Sequence, residues 1–289
     1  MLPELGSHAA RAHEATNGAA GDVHFAIDEG AERELERFMA ERAPQVAFYS
    51  EDRGLVAPPG AETVLVVDPI DGTRPALAGL ESCCVSIAAA PLGDDVTMGD
   101  ASVGCVVEIP SGVVFLAERG AGVTESPPVR LSTNESLERM FWTYGFRGRP
   151  ARPTAEVLAD LIDASSVGGA TFELGSAAFD MTRIVTGQLD AYVEPGPRLV
   201  ADVPGMRERF EAVGGGAVLN NAPYDLAGAA LILEEAGAIV TDAYGSPLAD
   251  RPLLGSGVDF QMSVLAAANP TLHARLVAAI DDGIGRVSG

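Results

Sequence analysis

The run Thr63-Val-Leu-Val-Val ends in Asp68-Pro-Ile-Asp71-Gly-Thr73. A short β-branched run of this kind reads as a buried strand, so a carboxylate is delivered at the carboxyl end of a core element. A second carboxylate follows within four residues, and Gly72-Thr73 opens what reads as the first turn of a helix. Any fold has to bury the strand while giving both charges a partner. Hard divalent cations take carboxylate oxygens, and free N–H groups at a helix start take phosphate, so the hexapeptide can meet both needs. An ordinary Asp-Gly turn after a strand is the plain alternative.

The spacing separates two phosphate chemistries. Enzymes of the haloacid-dehalogenase type place a nucleophilic aspartate and its acid partner two residues apart, before Gly-Thr. Here Asp68 and Asp71 do not follow that spacing, which disfavours a covalent aspartyl-phosphate and favours water activated by a metal.

Charge narrows the function further. The 289 residues carry 41 acids against 19 basic residues, a net charge of −22, and every basic residue is arginine. Without lysine there is no Schiff base and no Walker-type phosphate grip. So acidic a chain is a poor partner for nucleic acid or an anionic membrane surface. Anionic substrates would need a local remedy, and a bound divalent cation is the usual one. No apolar run is long enough to span a bilayer and no secretory signal pattern opens the chain, so a cytoplasmic protein is expected. Cys83, Cys84 and Cys105 have neither paired nor zinc-type spacing and read as small apolar side chains.

The remaining pattern is α/β. Leu35, Phe38 and Met39 mark an amphipathic helix over 31–42. Strands follow at 84–90, 104–109 and 112–117, the last two joined as a hairpin at Pro110-Ser-Gly112. Helices are expected at 153–164, 176–187, 226–236 and 270–280, with strands at 189–194 and 238–241. This predicts a layered sandwich of alternating helix and sheet layers, with one mostly antiparallel and one mixed sheet. Two lobes are expected, residues 1–150 with most of the candidate acidic ligands and 151–289 with Asp225, joined in one compact unit. The Gly- and Pro-rich stretch 195–222 is expected to be the flexible one.

Other acidic candidates are weaker one by one. Glu51 and Asp52 follow an apolar stretch, and strand alternation would send them to opposite faces, so at most one joins a given site. Asp225 begins the 226–236 helix, either as a cap or as a metal ligand. Asp22 and Asp28 precede the first helix, which Asp28 is placed to cap.

Together and in this order, these blocks resemble the inositol monophosphatase family, within the lithium-sensitive, magnesium-dependent phosphatases. The resemblance is carried by Asp22-x5-Asp28, Ser50-Glu-Asp52, the hexapeptide 68–73, Glu118-Arg-Gly-Ala-Gly122, Gly175-Ser-Ala-Ala178 with Asp190-Ala-Tyr-Val-Glu194, and Asp225-Leu-Ala-Gly with Glu235-Ala-Gly237. It implies an enzyme that hydrolyses a small phosphorylated polyol, sugar or nucleoside with two Mg²⁺ ions, or three. Glu51, Asp68 and the Ile70 carbonyl would hold one ion. Asp68, Asp71 and Asp225 would hold a second, with Glu51 helping a weaker third. Gly72 and Thr73 amides would bind phosphate, and Thr73, oriented by Asp28, would help activate water, with Glu51 counted among the catalytic groups. Gly175, Ser176, Ala177 and Glu194 would face the substrate, and a homodimer is expected. A phospholigand-binding protein without turnover is the alternative from another class.

Two departures bear on substrate. Arg74 stands beside the phosphate cradle, where it would either grip a second anionic group or form an outward salt bridge. This tilts the choice from plain inositol monophosphate towards sugar bisphosphates or 3′-phosphoadenosine-type nucleotides. The segment between Glu194 and Asp225 is also long. It carries Arg198, Arg207 and Arg209, and reads as a specificity lid hinged at Gly214–Gly216 or as a surface excursion.

Overall fold

The computed structural model describes residues 5–6, 13–17 and 23–289. Strands β1 (His13–Asn17) and β2 (Val23–Phe25) pair antiparallel and lead into α1 (Ala26–Arg42). Next come β3 (Ala47–Ser50), β4 (Gly54–Val56), β5 (Thr63–Asp71), α2 (Thr73–Ala78), β6 (Cys84–Pro91), β7 (Val103–Glu108), β8 (Val114–Glu118) and β9 (Gly122–Glu125). These strands form a sheet in the order β4-β3-β5-β6-β7-β8-β9, antiparallel except where β3 lies beside β5.

The rest of the chain supplies β10 (Phe141–Tyr144), α3 (Ala151–Ser165), β11 (Ala170–Phe172), α4 (Ala177–Val185), β12 (Ala191–Glu194), α5 (Gly196–Asp202) and α6 (Met206–Val213). It ends with α7 (Pro223–Ala236), β13 (Ile239–Thr241), β14 (Val264–Ala267) and α8 (Pro270–Ser288). The second sheet runs β11-β10-β12-β14-β13, parallel across its first three strands and antiparallel beyond. Because β10 belongs to it, the change from one sheet to the other falls between Glu125 and Phe141, not at residue 150.

The layers alternate as the apolar pattern requires. On one face of the first sheet, Phe25, Ile27 and Ala31 pack with Ile70, Ala76 and Leu77. Helices α4 and α7 fill the space between the sheets, where Phe179, Ile184, Leu226 and Leu233 join Val66, Val106 and Phe115 to Tyr192, Val264 and Ala266. The outer face of the second sheet, with Trp142, Val193, Leu265 and Ala267, is closed by α3, α5, α6 and α8. Strands β12 and β14 are buried at every position, as strands covered on both faces must be. Among the described residues no helix is long and apolar enough to cross a membrane.

Three expectations are corrected. Helix α1 buries Ile27, Ala31, Glu32 and Met39, while Phe38 is half exposed, because the inner stripe begins earlier than residue 31. Strand β5 continues through Asp71 instead of stopping at Asp68. The stretch 195–222 is mostly two helices, not a lid: Leu199, Val203, Met206, Phe210 and Val218 are buried against the second sheet. Removing 198–216 would therefore strip that core instead of merely changing selectivity.

The contact that seats α7 is a meeting of glycines. A Cβ on Gly104 of β7 would lie 2.4 Å from the Gly228 carbonyl oxygen, and one on Gly228 would lie 2.5 Å from the Ile87 carbonyl oxygen. Only hydrogen fits at either position, so helix and sheet approach at backbone distance. Gly228 lies about one helical turn beyond Asp225, so this contact also sets the depth of that carboxylate. Gly104→Ala is expected to cost about 1–3 kcal/mol in urea unfolding, and to weaken divalent-cation binding because Asp225 is displaced. Calorimetric titration of the variant checks the second effect.

Candidate metal centre

In a regular strand, residues three apart point to opposite faces. Asp68 and Asp71 nevertheless meet, because β5 carries one extra residue between them: Asp68 pairs with Ser86 and Asp71 with Cys84. Pro69 sits in this bulge, where no ladder N–H is required of it. Asp68 Oδ1 accepts the Ile70 N–H at 2.9 Å, so the carboxylate also braces the bulge.

The third carboxylate comes from α7. Asp225 Oδ2 accepts the Ala222 N–H at 2.6 Å, capping the helix, and the same side chain reaches the strand pair. Asp225 thus caps the helix, and its carboxylate also stands among groups that could hold a metal ion. One oxygen each of Asp68, Asp71 and Asp225 lies within 4.8 Å of the others. Helix α4 holds Asp71 from behind: its Oδ2 accepts the Ser176 hydroxyl at 2.8 Å and the Ala178 N–H at 2.6 Å. Ser176 caps that helix in turn, accepting the Phe179 N–H at 3.2 Å.

Gly72 makes the turn from β5 into α2 at φ +91°, and a Cβ there would lie 2.5 Å from the Ser82 carbonyl oxygen. The next residue, Thr73, donates its hydroxyl to Asp28 Oδ1 at 2.9 Å, with the Ile70 carbonyl 3.2 Å away. Asp28 Oδ2 accepts the Phe25 N–H at 3.1 Å. Asp28 thus braces the start of α1 and orients Thr73 at once.

Burial dominates the electrostatics. It pushes Asp68 well above the usual carboxylate range, and Asp71, Asp225 and Glu51 push it further. Asp71 is raised to about 6 by burial, against the lowering effect of the Ala178 N–H and the Ser176 hydroxyl. Asp225 is raised to about 7 by burial and by Asp71. Converging, dehydrated carboxylates of this kind suit a hard divalent cation, which takes oxygen ligands and cancels the repulsion.

These groups line one cavity of about 370 Å³, within the range of small-ligand sites. Asp28, Glu51, Asp68, Ile70, Asp71, Gly72, Thr73, Arg74, Gly175, Ser176, Ala177 and Asp225 all contribute to its wall. Asp52 does too, against the alternation argument, because β3 ends at Ser50 and the next residues form a turn. Asp22 lies outside the described residues.

The model of the inositol monophosphatase family matches residues 4–284. The chain belongs to this family. Among its relatives, a Nus factor SuhB of Xylella fastidiosa is 26% identical, over 90% of this chain and 82% of its own. An inositol-1-monophosphatase of Mycobacterium leprae is 30% identical, over 88% of this chain and 76% of its own. Of solved structures, a Thermotoga maritima IMPase superposes with a TM-score of 0.69 at 20% identity, covering 99% of this chain and 97% of its own. An IMPase/NADP phosphatase complexed with Mg²⁺ and phosphate gives 0.64 at 17% identity, over 93% and 85%.

One resemblance-based placement does not hold in this family member. Glu194 is fully buried and absent from the cavity wall. Its Oε2 pairs with Arg149 and its Oε1 accepts the Gly196 N–H at 2.7 Å. A buried carboxylate needs such a counter-charge, and the partner lies too far along the chain for spacing to reveal it. Arg149 lines the cavity instead, with Tyr144, Phe146, Arg147, Glu173, Asp180, Asn220, Asn221 and Gln261, all missed by sequence reasoning. The available signal was positional. Tyr144 and Glu173 lie at the carboxyl ends of the neighbouring parallel strands β10 and β11, where α/β sheets place ligands.

The raised carboxyls make stability depend on pH in a defined sense. Their pKa in the folded protein exceeds the unfolded value of about 3.9, so the metal-free fold binds protons more tightly than the unfolded chain. These groups therefore cost stability above pH 7, and the cost is relieved as pH falls through about 7 and 6, the values of Asp225 and Asp71. Thermal melts in EDTA should show this contribution as a lower Tm at pH 8 than at pH 5.5, and Mg²⁺ should raise Tm more at pH 8. Equal Mg²⁺ shifts at both pH values would contradict the assignment.

Proposed function

We propose that this protein is a Mg²⁺-dependent phosphomonoesterase acting on a small phosphorylated polyol, sugar or nucleoside. The observation that carries the reading is the Asp28–Thr73 hydrogen bond set beside three converging carboxylates. A protein that only bound cations would need the carboxylates and not the oriented hydroxyl.

Asp68, Asp71 and Asp225 would hold one Mg²⁺, and Glu51 with Asp68 and the Ile70 carbonyl another. Bound Mg²⁺ supplies Lewis acidity: it lowers the pKa of water and neutralises charge on the phosphate and the leaving oxygen. The Thr73 hydroxyl has its proton committed to Asp28, so its lone pair is left to accept a proton from the attacking water. Asp28, already hydrogen-bonded to that hydroxyl, is the acceptor next in line. The amides of Gly72 and Thr73, at the turn that admits no Cβ, would bind the phosphate oxygens. Tyr144, Phe146, Arg147, Asn220 and Gln261 would surround the leaving group.

Phosphate release from a panel of inositol phosphates, sugar mono- and bisphosphates and adenosine bisphosphates tests this, with and without Mg²⁺. Asp71→Asn is expected to abolish release with the fold intact. Thr73→Val should lower kcat by roughly 10²–10⁴-fold, the range for a lost proton-transfer partner. Near-normal turnover in either variant sinks the mechanism. Arg74 and Arg147 line the cavity and would receive a second anionic group, so Arg74→Gln should cost bisphosphates more kcat/KM than monophosphates. The relative named a Nus factor favours a second reading, a ligand-binding factor without turnover. Mg²⁺ uptake with no release from any ester would select it.

A further inference from the structure

Helix α1 meets the site at two places. Its first turn holds Thr73 through Asp28, and one turn later Glu32 is turned into the protein, only 2% exposed. Among the acids of α1 it alone is fully buried. An aliphatic side chain would fill this inner-face position without the cost of burying a carboxylate.

What Glu32 touches explains its place. Its Oε2 accepts the Ser50 hydroxyl at 2.8 Å, and its Oε1 lies 3.4 Å from the Asp52 N–H. Ser50 and Asp52 are the two neighbours of Glu51. The next residue, Arg53, reaches back to Glu29 at 3.0 Å and Glu36 at 2.6 Å on the same helix. Residues 50, 52 and 53 are thus each tied to α1, and Glu51 between them presents to the cavity. The Arg53 pairs are partly solvated and contribute little, whereas the Ser50 bond to Glu32 is buried and charge-assisted, and the longer Asp52 bond is partly buried.

We infer that Glu32 is a positioning residue for the metal centre: by gripping both neighbours of Glu51 it aims that carboxylate, and so sets the affinity of the cation that Glu51 helps to hold. This rests on reading the site as a Mg²⁺ centre. Groups that orient a metal ligand commonly change affinity by about 10–100-fold when removed. Glu32→Leu loses both bonds and belongs at the upper end of that range. Glu32→Gln keeps one accepting oxygen and belongs at the lower end, as does Ser50→Ala.

The test is calorimetric Mg²⁺ titration of the metal-free full-length protein and its variants, with melts in EDTA alongside. Mg²⁺ affinity should fall in the order wild type, Glu32→Gln, Glu32→Leu. The metal-free Tm of Glu32→Leu should not drop, because a buried charge has gone. kcat at saturating Mg²⁺ should stay near wild type while the Mg²⁺ needed for half-maximal rate rises. A merely structural residue would lower Tm and leave affinity unchanged, and that result overturns the inference. If Glu32→Leu does not fold, the isosteric Glu32→Gln decides in the same way. Uptake lost in Asp71→Asn but unchanged across the Glu32 variants overturns the positioning role alone. No uptake by the wild-type protein overturns the metal reading and this inference with it.

Discussion

Three carboxylates held within 4.8 Å of one another in a dehydrated pocket repel strongly, and most of the surrounding architecture restrains that repulsion. Each carboxylate gives one oxygen to the protein. Asp68 bonds the Ile70 N–H, Asp71 bonds Ser176 and Ala178, and Asp225 bonds the Ala222 N–H. The partners are mostly backbone groups at a bulge or a helix start, where N–H groups lack a ladder or helical acceptor. The arrangement therefore draws on donors that the fold leaves over and adds no positive side chain to the ligand set. One oxygen of each residue also approaches a common point.

The same restraint resolves the conflict posed by a net charge of −22. A phosphate ester approaching such a surface meets an unfavourable field. Inside the cavity, cations held at the aspartates would reverse the sign locally, where Arg74 and Arg147 also stand on the wall. Arg74 is itself steadied over the Phe25 ring, 5.4 Å from its centroid.

Much of this was legible in the chain, and the failures have physical reasons. The strand that delivers Asp68, the hairpin around Ser111 and the Gly237 stop after α7 follow from local chemistry, and the structure has all three, although the strand runs on to Asp71. Composition and block order were enough to reach the layered fold and the family. The bulge was not legible, because a period-two pattern carries no mark of an inserted residue, and without it Asp68 and Asp71 point apart. Helices α5 and α6 were obscured by their glycines and prolines, although Leu199, Val203, Met206 and Phe210 recur at helical spacing. Glu194 was misread and Arg149 missed, because pairing across distant segments leaves no local trace. Glu32 was hidden among the other acids of an evidently charged helix.

The carboxylates of the candidate centre come from remote parts of the chain: Glu51 after β3, the aspartates of β5, and Asp225 on α7, which follows three strands of the second sheet in sequence order. Contacts at that sequence separation must pay loop-closure entropy before they are rewarded, and such contacts slow folding. A partly folded molecule in which α7 has not yet docked would therefore present the carboxylates of the first sheet without Asp225, an incomplete set. On the Mg²⁺ reading, cation capture would report that the last long-range contact has formed, and the bound ion would work as a rivet between the first sheet and the central helix layer.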